Sequence, residues 1–336
     1  MKKSIAFDAI VWLINSSGHN KKLRVNLIGG EPLICFDLIK ELVPFAKRRA
    51  YYHGKAIHFS TTTNCTLITD EIISFWKKWR MGFHCSIDGV PKIQDINRPL
   101  YTGGCSSALV EAGVKKILTY QHNACARATI APKNINLTEN YNHFRSLGFT
   151  NIAFVCCDAD AWDNKSLIEF DTEVRCLISA WIKDIRKGLY IKLKYVDDLI
   201  KKRIYKKCSF TMCGAGRGMV LVDINGGIWP CHRWNKERHK EWNLGSIYGE
   251  FIENSRNKLD VKNQVSYLNA NCSACFASEI CTGGCPAENL EICGSPYYIT
   301  ENKCRIQKIW HKYASKAFDI ISRENLIEKI RIEECV

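Results

Sequence analysis

The sequence predicts an α/β protein in which a parallel sheet is followed by a small cysteine-rich domain. Segments with helical and strand-like hydrophobic patterns alternate with short connections through roughly the first 160 residues, and this alternation favours parallel strands. Polar residues and glycines follow the predicted strands, where ligands bind in such folds. Towards the C terminus, eight cysteines recur at short spacings. These three observations define the predicted architecture.

The individual elements are predicted from hydrophobic periodicity and from glycine, proline and asparagine breaks. The strands cover residues 23–28, 56–63, 83–88, 126–130 and 151–157. The helices cover residues 4–15, 36–52, 70–80, 106–121, 138–147, 166–187, 195–206 and 305–331. A hairpin turning at Asn225-Gly226-Gly227 is predicted between residues 218–223 and 228–230.

Composition excludes several classes of protein. The chain has 336 residues and 18 cysteines, so it is too long for a small scaffold stapled by disulfides. It shows no secretory signal and no long apolar run, so we expect a cytoplasmic protein without a membrane partner. The net charge is +14, but the basic residues are dispersed, which favours a solvated surface over nucleic-acid binding. An acidic peptide partner is a further possibility.

The eight cysteines have the layout C-x4-C-x17-C, a gap of 40 residues, then C-x2-C-x5-C-x3-C-x18-C. Eight thiolates fill two four-cysteine sites, which suit zinc or iron–sulfur clusters. The spacing of zinc ribbons does not occur here. Glycine pairs precede Cys231 and Cys285, where backbone has to pass close to a bulky inorganic group. Two iron–sulfur clusters are the favoured interpretation, and zinc stays open as an alternative.

These motifs resemble those of a known enzyme family. Gly29-Gly30-Glu31-Pro32, Thr63-Asn64, Ser86-Ile87-Asp88-Gly89 and Asn97-Arg98-Pro99 resemble the core motifs of radical S-adenosylmethionine (SAM) enzymes. The pattern C-x12-G-x4-C and the cysteines after it resemble their SPASM extension. The nearest relatives would be anaerobic sulfatase-maturating enzymes and maturases of ribosomal peptides. The resemblance covers essentially the whole chain.

The resemblance implies a fold and a set of site residues. The fold would be a partial (β/α)6 TIM-like barrel without its first strand, followed by a SPASM domain that binds two auxiliary 4Fe-4S clusters. One cluster would bind to Cys208, Cys213, Cys231 and Cys285, and the other to Cys272, Cys275, Cys281 and Cys304. The segment that contacts SAM would include Gly29, Gly30, Glu31 and Pro32, together with Ser86 and Arg127. Arg127 could equally be a structural ion-pair partner, and Arg98 a turn residue.

The resemblance also divides the chain into four parts. Residues 1–165 would form the partial barrel, 166–207 a helical bridge, 208–310 the SPASM domain and 311–336 a C-terminal helix.

Two features depart from the family pattern. The family holds its radical cluster with C-x3-C-x2-C, and this motif is absent from the 336 residues. We therefore expect either a truncated or misassigned start or a decayed paralogue, with SAM binding that is weak and without reductive cleavage. Sulfatase-maturating relatives have an aspartate base after the cysteine that corresponds to Cys231, whereas this chain has His232. His232 would be a base or a hydrogen-bond donor beside the cluster.

The leading hypothesis is a radical SAM/SPASM oxidoreductase that matures a peptide or protein. The substrate would contain cysteine, thioether formation is one possible reaction, and a reductant protein would supply electrons. Anaerobic sulfatase maturation is one alternative. A non-catalytic iron–sulfur module for electron transfer is another, and a zinc-containing nucleic-acid binder is a third.

Overall fold

A computed structural model describes residues 1–157, 161–204, 214–216, 218–234, 236–249, 272, 274–278, 281 and 283–330. The chain forms two compact units. One comprises Met1–Leu23, Pro44–Ala56 and Lys207–Lys308, and the other comprises Arg24–Val43, Ile57–Lys206 and Ile309–Val336. Each unit combines segments that are distant in sequence. The four sequence ranges given above remain predictions.

Helices and strands alternate as the sequence predicts. The strands are β1 Lys22–Leu27, β2 Ala56–Thr63, β3 Gly82–Ser86, β4 Cys125–Ile130, β5 Asn151–Cys156, β6 Lys192–Leu193, β7 Leu221–Val222 and β8 Ile228–Trp229. The helices are α1 Lys3–Ser16, α2 Phe36–Tyr52, α3 Asp70–Trp79, α4 Pro91–Asn97, α5 Ser107–Tyr120, α6 Leu137–Leu147, α7 Asn164–Arg186, α8 Lys194–Ile204, α9 Pro286–Cys293 and α10 Glu301–Arg323. Among the described helices, none has the length and apolar character needed to cross a membrane.

The main sheet contains strands β1 to β6 in sequential order. Each strand from β3 to β6 is parallel to the one before it. Sequential parallel strands joined by helices are the arrangement that β/α alternation predicts, and the α/β class is confirmed. The antiparallel pair β7–β8 forms the predicted hairpin.

The two faces of the main sheet differ in polarity. In β2, Ile57 and Phe59 are buried, whereas His58 between them is exposed. In β3, Phe83 is buried and His84 is exposed. Because side chains alternate along a strand, one face is apolar and the other is polar. We call the second one the open face.

Two elements of the sheet region were not predicted. Strand β6 has only two residues, and it lies between the helices predicted at residues 166–187 and 195–206, inside the predicted helical bridge. It pairs with β5 through Asn151–Lys192 and Ile152–Leu193. Helix α4 is one short segment beginning at Pro91, in a region left without an assignment. Both elements are shorter than the window over which periodicity is measurable.

The carboxyl end of β3 is organised by Asp88, which is almost completely buried. Its carboxylate forms an ion pair with Arg98, with the Arg98 Nε to Asp88 Oδ2 distance at 2.9 Å, and accepts a hydrogen bond from the Thr129 amide. The Asp88 amide donates to Gln94, and its carbonyl accepts from Asn140. Asp88 therefore connects β3 to β4, α4 and α6. Arg98, which the sequence analysis left open as a turn residue, is therefore the ion-pair partner of Asp88.

The neighbouring Gly89 is required by close packing. A Cβ at this position would lie 2.0 Å from Asn140 Oδ1. Asn140 is fully buried and accepts a hydrogen bond from the Val90 amide at 3.1 Å. Any side chain at position 89 would displace Asn140, and this explains the glycine in Ser86-Ile87-Asp88-Gly89.

Removing the Asp88 carboxylate should destabilise the sheet unit strongly. We expect Asp88→Ala to lower the free energy of unfolding by about 3–5 kcal/mol, because the substitution leaves a partly buried guanidinium without its counter-ion. Asp70→Ala is the matched control, since it breaks the exposed Asp70–Lys116 pair, which contributes about 0–1 kcal/mol. Urea unfolding followed by tryptophan fluorescence measures both. Equal losses in the two variants would contradict the role assigned to Asp88.

Candidate functional site

The loop after β1 is fixed by the side chain of Glu31. Its Oε1 accepts hydrogen bonds from the Leu33 amide at 3.1 Å and the Thr63 hydroxyl at 3.0 Å, and its Oε2 accepts from the Asn64 amide at 2.8 Å. The first bond caps a short 3-10 helix, Pro32–Cys35. The Glu31 carboxylate thus joins the ends of β1 and β2. Both carboxylate oxygens of Glu31 therefore accept hydrogen bonds within the protein. The exposed part of this segment is Gly29-Gly30, directly before Glu31.

Gly29 and Gly30 leave open space at the end of β1. Both are exposed, and no atom lies within 4 Å of the position where either would place a Cβ. Neither residue has a positive φ angle, so the backbone conformation does not require glycine at these positions. Their carbonyl groups are accessible acceptors, and an ammonium group binds to such acceptors. The segment therefore fits a ligand that approaches the main chain closely.

Ser86 and Arg127 lie side by side on the open face. The two residues are register partners on β3 and β4, and register partners on parallel strands point to the same face. Ser86 is half-buried and Arg127 is exposed. A hydroxyl and a guanidinium at one level of the sheet can bind the hydroxyls and the carboxylate of one ligand.

His84 lies one level below this pair and is affected by nearby cations. Although the His84 residue is partly open to solvent, the protein around its imidazole desolvates the ring and lowers its pKa, and the positive charges of Arg127 and Lys194 lower it further. His84 is a register partner of Thr62 on one side and Cys125 on the other. The sequence analysis did not select His84 or Lys194. In the sequence, the alternation of these residues with buried ones indicates only that they lie on an exposed face. The fold brings Lys194 close enough to His84 to affect its pKa.

The hairpin before Cys231 is held by Asp223. The Asp223 carboxylate accepts hydrogen bonds from the Asn225 and Gly227 amides and from the Trp229 indole. Burial opposes ionisation, but these bonds lower the pKa of the Asp223 carboxyl below its usual value. Gly226 has a φ of 85°, and its Cβ would lie 3.0 Å from Tyr248. Glycine at position 226 is therefore required by the backbone conformation and the packing of the turn.

Two of the predicted cluster ligands belong to one small core. Cys231 follows β8, and Cys285 precedes α9. Both pack with Trp234, Ala287 and Leu290. Cys208 and Cys213, the other two members of this predicted set, lie outside the described residues. His232 is exposed beside Cys231.

Thiols of the other predicted set lie close enough together to influence one another's pKa values. Burial raises the pKa of the Cys281 thiol, and Cys304, Cys275 and Cys272 raise it further. Burial likewise raises the pKa of Cys304, with contributions from Cys272 and Cys275. The Cys281 thiol is therefore influenced by all three of the other cysteines in its predicted set. No three potential ligands among the described residues lie close enough together to hold a single metal ion.

A buried ion pair supports both cysteine groups, and the sequence analysis did not detect it. Lys303, adjacent to Cys304, lies 2.8 Å from the Glu288 carboxylate, and both side chains are buried. Glu288 is in the first turn of α9, three residues after Cys285. The pair therefore joins the helices that follow Cys285 and contain Cys304. Charged residues in these helices gave no signal of burial in the sequence.

Similarity to known proteins was found at the level of both sequence and structure. The chain is 23% identical over 276 residues to the cysteine-type anaerobic sulfatase-maturating enzyme of Clostridium perfringens, covering 76% of this chain and 72% of the relative. Its homologues are radical SAM/SPASM enzymes. No family profile matches the sequence.

The structural matches extend over most of the chain. The structure of native anSMEcpe with bound AdoMet and Kp18Cys peptide matches with a TM-score of 0.81 and 19% identity, covering 96% of this chain and 91% of that one. Streptococcus suis SuiB bound to its precursor peptide SuiA matches with a TM-score of 0.56 and 14% identity, covering 89% and 69%. The predicted radical SAM type of fold is thereby confirmed.

The two cysteine sets should load independently. Anaerobic reconstitution should give about eight iron ions per chain, as two 4Fe-4S clusters require, and Cys275→Ala should retain about four. The second value follows because Cys275 belongs to only one of the two sets. Iron and sulfide analysis with Mössbauer spectroscopy measures the loading.

Cys293→Ala is the control for this experiment, since Cys293 is exposed at the end of α9 and belongs to neither set. It should load as much iron as the unmodified chain. Loss of all iron in Cys275→Ala would show that the pairing is wrong. Zinc without iron would remove the cluster assignment.

Proposed function

We propose that this chain is part of a radical SAM/SPASM enzyme that modifies a peptide or protein. The observation that carries the proposal is the fold similarity, over 96% of the chain, to anSMEcpe with bound AdoMet and a cysteine peptide. The sequence similarity to sulfatase-maturating enzymes supports it independently. The grouped cysteines and the exposed Gly29 and Gly30 are the residue types that such a function needs.

The SAM site would lie at the carboxyl edge of the sheet. The carbonyl groups of Gly29 and Gly30 would accept hydrogen bonds from the ammonium group of SAM. Ser86 and Arg127 would bind its ribose and its carboxylate. Glu31 positions this segment through its three hydrogen bonds to the ends of β1 and β2. Ordinary hydrogen bonds contribute about 1 kcal/mol each, so these contacts alone support weak binding.

The cysteine half would hold two auxiliary 4Fe-4S clusters. Cys208, Cys213, Cys231 and Cys285 would bind one cluster, and Cys272, Cys275, Cys281 and Cys304 would bind the other. Such clusters accept or pass single electrons. The Lys303–Glu288 pair would keep the two supporting helices in place around them. A reductant protein would supply electrons, in the reducing cytoplasm.

The residues present do not fit the radical cluster of the family. That cluster needs C-x3-C-x2-C, and the 336 residues contain no such motif.

The substrate would be a peptide or protein that contains cysteine. Two relatives with solved structures have peptides bound, one of them named as a cysteine peptide. Thioether formation in a ribosomal peptide is the more specific reaction that we favour. Sulfatase maturation is the second candidate, because the sequence relatives bear that name. His232 stands where sulfatase-maturating enzymes have an aspartate, and this difference favours the first candidate.

The SAM site can be tested with a matched pair of glycine variants. Gly30→Val should weaken SAM binding at least about tenfold, because the side chain would fill the open space beside the carbonyl acceptors. Gly249→Val is the control. It also has open space around it and no positive φ angle, and it lies in the other unit. Equilibrium dialysis with radiolabelled SAM measures both. Equal affinities in the two variants would place the SAM site elsewhere.

Turnover should separate the enzyme from a non-catalytic electron carrier. Under dithionite, the 336-residue chain should release no 5′-deoxyadenosine, and fusion of an upstream segment with C-x3-C-x2-C should allow its release. Liquid chromatography with mass spectrometry measures the product. If the chain as it stands releases 5′-deoxyadenosine, another cysteine set holds the radical cluster. If neither form binds SAM, the chain is a non-catalytic iron–sulfur module.

A further inference from the structure

The strands of the main sheet have an unusual charge composition. None of the strands β1 to β6, within the bounds that the structure gives them, contains aspartate or glutamate. Basic residues or histidines occur on every strand except β5. Those in the sheet unit are Arg24, His58, His84, Arg127 and Lys192. A half-exposed sheet usually mixes both signs of charge, because like charges on neighbouring strands repel each other.

Strand register places these residues on one face. Asn26 forms side-chain hydrogen bonds with Ser60 and Thr62, so the three side chains share a face. Arg24 and His58 lie two residues before Asn26 and Ser60 and therefore point the same way. A continuous row of register partners then crosses the sheet. It consists of Thr62, His84, Cys125, Asn151 and Lys192.

The next level of the sheet adds two more cations. Arg127 is the register partner of Ser86 on one side and Ala153 on the other. Lys194 follows β6 directly, two residues after Lys192, and is exposed. The positive charges of both Arg127 and Lys194 act on His84. His84, Arg127 and Lys194 are therefore close enough to influence one another.

Among the described residues, two carboxyl groups of α8 act on the lysines of the open face, and one of them, the buried Asp197, interacts with Lys192. Lys194 has an ion pair with Asp198 at 3.1 Å, in which both side chains are largely exposed. The other carboxylates at the carboxyl edge are engaged elsewhere. Asp88 is buried against Arg98, and Glu31 binds the amides and the hydroxyl described above. A ligand with negative charge would relieve the repulsion on the open face and meet no fixed carboxylate on the strands.

We propose that the open face binds an acidic segment of the peptide substrate through Arg24, His58, His84, Lys192 and Lys194, beside Arg127, which is left to the carboxylate of SAM. This proposal rests on the proposed function, since it names the class of peptide that the same enzyme would accept. The distance from β1 to β6 is roughly 24 Å for five strand spacings, which is the length of about seven extended residues. Charge complementarity favours aspartate and glutamate side chains within such a segment.

The test uses the reconstituted chain and two fluorescent peptides of equal length. One contains cysteine, glycine, serine and several glutamates, and the other has glutamine at each glutamate position. Fluorescence anisotropy should show the glutamate peptide binding at least about tenfold more tightly, because several exposed ion pairs add up. Added salt should reduce this difference. Equal affinities for the two peptides would overturn the proposal.

Two lysine variants separate the open face from the overall charge. Lys194→Gln should weaken binding of the glutamate peptide about three- to fivefold, as expected for one exposed ion pair. Lys115→Gln removes the same charge from the exposed surface of α5 and should leave the affinity unchanged. Equal weakening in both variants would show a non-specific effect of net charge. A single-stranded oligonucleotide of the same charge should compete poorly, and tight competition would identify a nucleic-acid surface instead.

A spectroscopic readout tests the place of binding. The glutamate peptide should raise the pKa of His84, because its carboxylates offset the charges of Arg127 and Lys194. Histidine signals in NMR spectra, assigned with His84→Gln, report this pKa. An unchanged value under saturating peptide would overturn the assignment to the open face.

Failure of the proposed function is distinguishable from failure of this inference. Peptide binding is measured without SAM and without turnover. A chain that binds the glutamate peptide through Lys194 but does not bind SAM would retain the acidic-peptide site and lose the enzyme proposal. A chain that binds SAM and prefers neither peptide would retain the enzyme proposal and lose the acidic-peptide site.

Discussion

The ion pair between Asp88 and Arg98 organises the carboxyl edge of the sheet, where the candidate SAM site lies. Asp88 is almost completely buried, and among the described residues Arg98 is the one charged partner of its carboxylate. A buried carboxylate is costly unless it is paired and fully hydrogen-bonded. Asp88 meets this requirement with Arg98 and the Thr129 amide. The cost of leaving either charge alone fixes the positions of β3, β4 and α4 relative to one another.

Glycines in this chain have two different physical roles. Gly89 is glycine because Asn140 occupies the space of a side chain, and Gly226 is glycine because of its turn and its contact with Tyr248. Gly29 and Gly30 have neither constraint. Under the proposed function, the open space at these two glycines would serve the binding of SAM.

The cysteine half depends on a different balance. Thiols gathered near one another and partly buried resist ionisation, and the raised pKa values of Cys281 and Cys304 express this cost. Bound iron would offset it, because thiolates are the form that metals bind. The Lys303–Glu288 pair lies beside this group and is itself desolvated. Binding of clusters and folding of this part of the chain are therefore expected to be coupled.

The sequence by itself determined the α/β class, the first five strands and the spacing of the cysteines, because hydrophobic periodicity and ligand spacing are local properties. It did not reveal β6 or α4, since two residues and a single short helix carry no measurable period. Nor did it reveal that Arg98 pairs with a buried Asp88, or that Lys303 and Glu288 are buried together. Only the tertiary structure decided which polar residues face each other. The register of parallel strands brings His84, Arg127 and Lys192 to one face, although they are far apart in the sequence, and register depends on the packing of the whole sheet.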